Sequence, residues 1–220
     1  MLQTIIRILP LAIGATINPT GFLVVLMILS NKDRPSRKGL AFILGSTLTL
    51  VIIGTIIFAT FRPAIQGAAP SYEKTISAVI DIVLGSLIII VLAKEALSKK
   101  PKEQAEEKTK HKRPYFILGL GYMLIDFSSL IPYVGALKII AEANLKTYGL
   151  LFVFLITLLI TMSMLAIPVF LYLITPSRAA IIMAPIERFM NKHGKTIAVT
   201  VFAIMAIYLI AKGTIHLIIK

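Results

Sequence analysis

Apolar residues in this chain run in long blocks, and the polar residues gather between them. A helix of about 20 apolar residues is long enough to cross the hydrocarbon core of a bilayer. Six blocks qualify, over about residues 2–29, 39–60, 75–97, 115–141, 148–174 and 196–219. The first, fourth and fifth are longer than a straight crossing needs, which fits tilt or an interruption. Small residues recur where helices can approach closely: Gly45 and Ser46, Gly54, Gly85 and Ser86, Gly119 and Gly121. The pattern predicts an all-α polytopic membrane protein with six transmembrane helices.

Two places inside the blocks are polar. The first is Ala15-Thr16-Ile17-Asn18-Pro19-Thr20-Gly21. Proline has no amide hydrogen, and its ring disfavours helical angles in the residue before it. In lipid, broken backbone persists only where protein or a water-filled cavity satisfies it. Asn18-Pro19 therefore reads as a break that bares polar groups at mid-membrane depth. A plain proline kink is the alternative. The second place is Gly121-Tyr122-Met123-Leu124-Ile125-Asp126-Phe127-Ser128-Ser129. Overlaying Ile17-Asn18 on Ile125-Asp126 brings the basic turn before Gly39 onto residues 144–146, so that the next helices begin together at Leu40 and Tyr148. The chain then divides into three-helix repeats over residues 1–97 and 114–220, joined by a charged linker over 98–113. An odd number of crossings per repeat makes the two copies inverted, and interrupted helices at matching points of inverted repeats point to a transport site.

Charge sets the orientation. The turn near residue 35, the linker and the segment after the fifth block carry most of the 23 lysines and arginines, among them Arg34, Arg37, Lys38, Lys99, Lys100, Arg113, Arg178, Arg188, Lys192 and Lys195. The positive-inside rule places these segments in the cytoplasm and both termini outside an inner, cytoplasmic membrane. Interspersed with apolar spans, the net charge of +13 does not form one nucleic-acid-binding face. The linker mixes both signs and reads as a solvated connection, with contact to lipid head groups as the alternative. Residues 177–192 place Ile181, Ile182, Ile186, Phe189 and Met190 at helical spacing among charges, interrupted by Pro185, which predicts a separate amphipathic helix on the cytoplasmic leaflet, with a connecting helix packed on the bundle as the alternative. The first block, too long for a signal-peptide core, is expected to be retained.

Charges inside a membrane are costly and usually functional. Asp126 is the deepest acid, and Pro132 is expected to break its helix soon afterwards. Asp126, with Ser128 and Ser129, could carry a proton, hold a cation or face a cationic group; a structural carboxyl bonded to a neighbouring helix is the alternative. Asn18 is its counterpart by pseudo-symmetry, and Thr16 and Thr20 add hydroxyls that serve equally well as helix-packing contacts. Asp81, about two turns into its span, reads equally as a functional acid and as one solvated in the head-group region; Lys138 is expected to snorkel, and Lys212 to pair with an acid that the sequence does not identify. The three histidines have no metal-ligand spacing, and neither a nucleophilic triad nor a glycine-rich phosphate loop is present. Without cysteine there are no disulfides, thiolate metal sites or dithiol relay. No enzyme, cofactor or metal is expected.

The stretch 15–21, the following Ile28-Leu29-Ser30, and Arg37-Lys38-Gly39-Leu40-Ala41-Phe42-Ile43-Leu44-Gly45 together resemble the start of the GAP (Sap, sulfolipid/peptidoglycolipid-addressing) family of the lysine-exporter (LysE) superfamily. Ile167-Pro168-Val169-Phe170-Leu171-Tyr172-Leu173-Ile174-Thr175-Pro176-Ser177-Arg178 and the closing Ile210-Ala211-Lys212-Gly213 resemble it as well. The resemblance implies a LysE-like fold of two inverted three-helix repeats that moves an amphiphile, such as a glycolipid or lipid precursor, across or out of the inner membrane. Asn18 and Pro19 match its first-repeat motif. The second repeat departs, with Asp126-Phe127 where the superfamily often has Asn-Pro or Asp-Pro. Other members move manganese, cadmium or amino acids; a branch using paired cysteines is excluded here.

The expected function is a secondary transporter for a lipid-like or amphipathic solute, coupled to protons, with Asn18, Pro19, Thr16, Thr20, Asp126, Ser128 and Ser129 at its centre. Its partners would be membrane lipids and that substrate, with a homodimer compatible and nucleic acid excluded. A cation or amino-acid exporter and a non-transporting scaffold in envelope lipid export are the alternatives.

Overall fold

A computed structural model describes residues 1–31, 33–66, 70–97 and 114–218. The linker expected over 98–113 lies outside the described residues. All the regular structure described is helical: α1 (Leu2–Thr16), α2 (Pro19–Leu29), α3 (Pro35–Gln66), α4 (Pro70–Leu97), α5 (Tyr115–Ile125), α6 (Phe127–Glu142), α7 (Thr147–Ile174) and α8 (Pro176–Ile218). Four of these, α3, α4, α7 and α8, are each long and apolar enough to cross a bilayer. The pairs α1–α2 and α5–α6 qualify as spans too when each bent pair is taken as one, with bends of 53° and 72°. Outward faces carry exposed Ile90, Leu159, Ile167 and Ile204, the surface of an integral membrane protein whose surrounding solvent is acyl chain.

Packing crosses between the two halves of the chain. The most extensive pairings are α4 with α8, α3 with α5 and α1 with α6. Tyr133, Phe42, Leu50, Leu137, Ile140 and Leu165 are fully buried in the core, and the Tyr133 hydroxyl donates to the Leu50 carbonyl at 3.1 Å. Close approach of α3 and α5 requires glycine. A Cβ on Gly45 would run into the Phe116 carbonyl, and one on Gly119 into the Phe42 carbonyl. In that gap Ser46 Oγ donates to Gly119 O at 3.2 Å and Thr49 Oγ1 to Leu120 O at 3.1 Å. Gly121, expected at such a seam, instead faces open space.

Three further expectations are corrected. Residues 177–192 do not form a separate helix; they are the first part of α8, a continuous helix of 43 residues. The polar stretch Asn191–Lys195 contains no proline, and a single glycine costs a helix only about 1 kcal/mol, so nothing there ends it. Pro132 does not break the helix; it is buried inside α6, and the interruption falls upstream at Asp126. One lost backbone bond is tolerated in a span that its neighbours enclose. Finally, α3 begins at Pro35 and takes Arg37 and Lys38 into its first turns, so the overlay of α3 on α7 is offset by about one turn.

The two breaks lie at a common level. The halves running from the breaks to the end of the bundle that carries residues 30–34, α2 and α5, have 11 residues each, about 16 Å at ~1.5 Å per residue. The halves running to the opposite end, α1 and α6, have 15 and 16 residues. Short and long halves are thus exchanged in chain order between the two bent pairs.

Candidate functional site

The first break is shaped by three consecutive residues. Ile17 (φ −72°, ψ 90°) leaves α1, and Asn18 (φ −132°, ψ 78°) caps α2, its Oδ1 accepting from the Gly21 N–H at 2.7 Å. Pro19 follows at the first helical position, where its missing donor costs nothing. The Asn18 N–H points to Met164 Sδ at 3.4 Å, and Thr16 Oγ1 donates to the Ile160 carbonyl at 2.7 Å, so α7 takes up polar groups that the break exposes. Gly21 is needed for space: a Cβ there would lie 2.7 Å from the Tyr122 hydroxyl and 2.8 Å from Asn18 Nδ2.

The second break is a single residue. Asp126 (φ −87°, ψ 75°) ends α5 and precedes α6 without capping it through its side chain. Its carboxylate turns to the first break and accepts from Asn18 Nδ2 and, at 2.5 Å, from Ser128 Oγ. Tyr122 Oη donates to Asn18 Oδ1 at 2.9 Å. Asn18, 2% exposed, therefore serves α2, Tyr122 and Asp126 together. Both restarting helices, α2 and α6, direct their N-termini at this point, and each N-terminus carries roughly half a positive charge.

Beside Ser128 lies an apolar crevice lined by Phe127, Ile131, Ile88, Val91, Leu92 and Phe202. It encloses about 10 Å³, room for roughly one water. Ile125 and Phe127, on either side of Asp126, are 73% and 54% exposed on the outer face. The polar cluster is thus reached along an apolar surface.

Of the residues expected at the centre, Asn18, Asp126 and Ser128 share one hydrogen-bonded cluster. Ser129 is buried in the next position of α6, and Thr16 holds α1 to α7. Pro19 packs toward α8, its ring atoms 3.0–3.2 Å from where a Cβ on Gly194 would sit. Thr20 is exposed, outside the cluster. Tyr122 was missed, although its place one turn before Asp126 sets both on one helix face.

Two charges lie elsewhere than expected. Asp81, which one of its two readings places among head groups, and Lys138, expected to snorkel, are 1% and 2% exposed and form an ion pair. Packing of α4 against α6 seals the pair before Lys138 could reach the surface. Lys138 Nζ also donates to the Ser77 carbonyl at 2.6 Å and lies 3.3 Å from Glu142, which accepts from Ser77 Oγ at 2.6 Å. Lys212 has an identified partner, its Nζ lying 3.0 Å from Asp81 Oδ2.

The family model described as SfLAP, Sap, sulfolipid-1-addressing protein, matches residues 8–215. No curated protein and no solved structure matches the chain.

Proposed function

The chain belongs to the Sap, sulfolipid-1-addressing protein family, and from that premise we propose that it is a secondary transporter moving a lipid-like or amphipathic solute with an anionic head group. The observation that carries this reading is the meeting of two helix interruptions, 108 residues apart in sequence, through the Asn18–Asp126 hydrogen bond. Half-helix N-termini facing one another in a membrane form a site for an anionic group. Here the anion already present is the Asp126 carboxylate.

The proposed cycle follows from that placement. A proton on Asp126 removes the resident charge. The Asn18 amide, the Ser128 hydroxyl and the two helix N-termini are then free to receive an anionic head, while the tail lies along the crevice beside Phe127 and Ile131. Loss of the proton restores the carboxylate, which competes for the same donors and expels the head. The enclosed volume is far smaller than a lipid, so α4, α6 and α8 must separate for a substrate to pass. The cross-half pairings support inverted repeats, because a two-fold arrangement exchanges partners in this way.

The test uses the purified full chain in liposomes carrying a trace of fluorescent lipid, with either a sulfated or a zwitterionic head. A proton gradient is expected to speed movement of the sulfated probe between leaflets and to leave the zwitterionic one unchanged. Rates equal to those of protein-free liposomes would overturn the proposal. The orientation with both termini outside is tested separately. An epitope placed before Met1 is expected to bind antibody on intact cells; protection until the cells are permeabilised would reverse it.

A further inference from the structure

An asparagine side chain has two ends of similar size and opposite sense, a carbonyl that accepts hydrogen bonds and an NH2 that donates them. Which end of Asn18 faces Asp126 therefore decides what the centre of the molecule can hold. Asn18 Oδ1 accepts twice, from the Gly21 N–H at 2.7 Å and from Tyr122 Oη at 2.9 Å. Both lone pairs of that oxygen are thus occupied, and Nδ2 is the end left for Asp126.

The two donors differ in where they stand. Gly21 is in the turn that Asn18 itself caps and moves with it. Tyr122 belongs to α5, in the other half of the chain. These two half-helices do not pack on one another: among the described residues no Cα of α2 lies within 8 Å of a Cα of α5. Side-chain hydrogen bonds therefore join Asn18 to the second break, one to Asp126 and one from Tyr122. In the cycle above the Asp126 bond is given up whenever a head group enters, and the Tyr122 bond is the one that stays. Tyr122 is itself firmly placed. Its ring lies against Phe42 of α3, with centroids 5.5 Å apart, and Phe42 is fully buried.

We propose that Tyr122 is a positioning residue. It keeps the Asn18 carbonyl turned away from the centre, so that Nδ2 stays aimed as a donor while Asp126 lets go and an anionic head takes its place. This role deepens the transporter reading and rests on it. Without the hydroxyl, one lone pair of Oδ1 is free and the Gly21 N–H alone holds the amide, which then swings once the Asp126 bond is broken. An arriving head group meets a donor that has first to be ordered, and affinity falls by the cost of ordering it. Tyr122 does not touch the head group; it acts through Asn18.

The test measures binding of a fluorescent amphiphile with a sulfate-ester head to the purified full chain in lipid nanodiscs, with empty nanodiscs subtracted. Tyr122→Phe keeps the ring beside Phe42 and removes one hydrogen bond, and binding is expected to weaken about fivefold. Tyr115→Phe is the control, two turns earlier on the same face of α5, where the hydroxyl accepts from Asn31 at 3.4 Å; it should bind like the parent. Asn18→Ser keeps a cap for α2 but has no amide to aim, so adding Tyr122→Phe to it should weaken binding no further. A second fivefold loss in that background would mean that Tyr122 meets the head group itself or only supports the fold, and it overturns the proposal. So does a Tyr122→Phe protein that binds like the parent.

The aim of Asn18 is also read without ligand. The other three asparagines, Asn31, Asn144 and Asn191, are exposed and are replaced by serine, which leaves one side-chain amide signal in 15N-asparagine-labelled protein. Exchange of that amide with water is expected to be about fivefold faster in Tyr122→Phe, and equal rates overturn the proposal. If Asn18→Ser does not fold, binding and exchange in Tyr122→Phe decide. A parent that binds no sulfated probe, while its Asn18 exchange still responds to Tyr122→Phe, would strike the transporter reading and leave Tyr122 as the residue that aims Asn18.

Discussion

Asp126→Asn is expected to abolish acceleration of the sulfated probe by a proton gradient, a loss of at least about tenfold, while the protein stays monodisperse and helical. The substitution keeps the shape of the side chain. Its Oδ1 still accepts from Asn18 or Ser128, so the structural cost is that of one weakened hydrogen bond, about 1 kcal/mol. What is removed is the charge that the cycle must place and withdraw. With no resident anion before the N-termini of α2 and α6, a sulfated amphiphile should bind more tightly than to the parent, as read by tryptophan-free fluorescence of a labelled probe. Tighter binding with lost gradient response is a joint outcome that a merely structural carboxyl would not produce. An unchanged gradient response would remove Asp126 from the mechanism.

The largest effect on stability is expected from Lys138→Met. Methionine fills the space of the alkyl stem but leaves Asp81, 1% exposed, without the ammonium that its Oδ1 accepts from. Removing one partner of a buried pair typically costs about 3–5 kcal/mol, here softened to the extent that Lys212 remains at Oδ2. In detergent this corresponds to a fall of roughly 10 °C in Tm. The double variant Asp81→Leu/Lys138→Met should recover most of it, because no charge is then stranded between α4 and α6. A Lys138→Met protein as stable as the parent would mean that Asp81 is wetter than its burial indicates.

Much of the central site was legible because it is written as a departure from a simple rule. A long apolar block should hold no polar residue, so Asn18-Pro19 and Asp126 stand out, and the spacing between them aligns two copies of one pattern. Tyr122 did not stand out, since an aromatic residue within a span is unremarkable until the face it shares with Asp126 is known to meet Asn18. The Asp81–Lys138 pair was illegible for another reason. The two residues are 57 apart in sequence and lie toward the ends of their spans, where snorkelling accounts for a lone charge equally well. Only the contact of α4 with α6 separates the two cases. A faint signal was present in the spacing of Ser77 with Asp81 and of Lys138 with Glu142, each pair one helical turn apart and therefore on one face. The continuity of α8 was misread because a polar stretch between apolar blocks suggests a loop, yet polarity alone does not end a helix.

That continuity ties distant parts of the molecule together mechanically. Gly194 rests on Pro19 at the first break, and Lys212, about 27 Å further along the same rod, rests on Asp81. Between them Met205 lies over Gly14 of α1, and Gly85 of α4 is seated against the backbone at Ala206. Gly194 lies near the middle of α8 and Lys212 near its end, so α8 cannot tilt at Lys212 without altering how Gly194 seats on Pro19. Any tilt of α8 is therefore felt at the first break and at the buried charges together, without a relay of side chains between them.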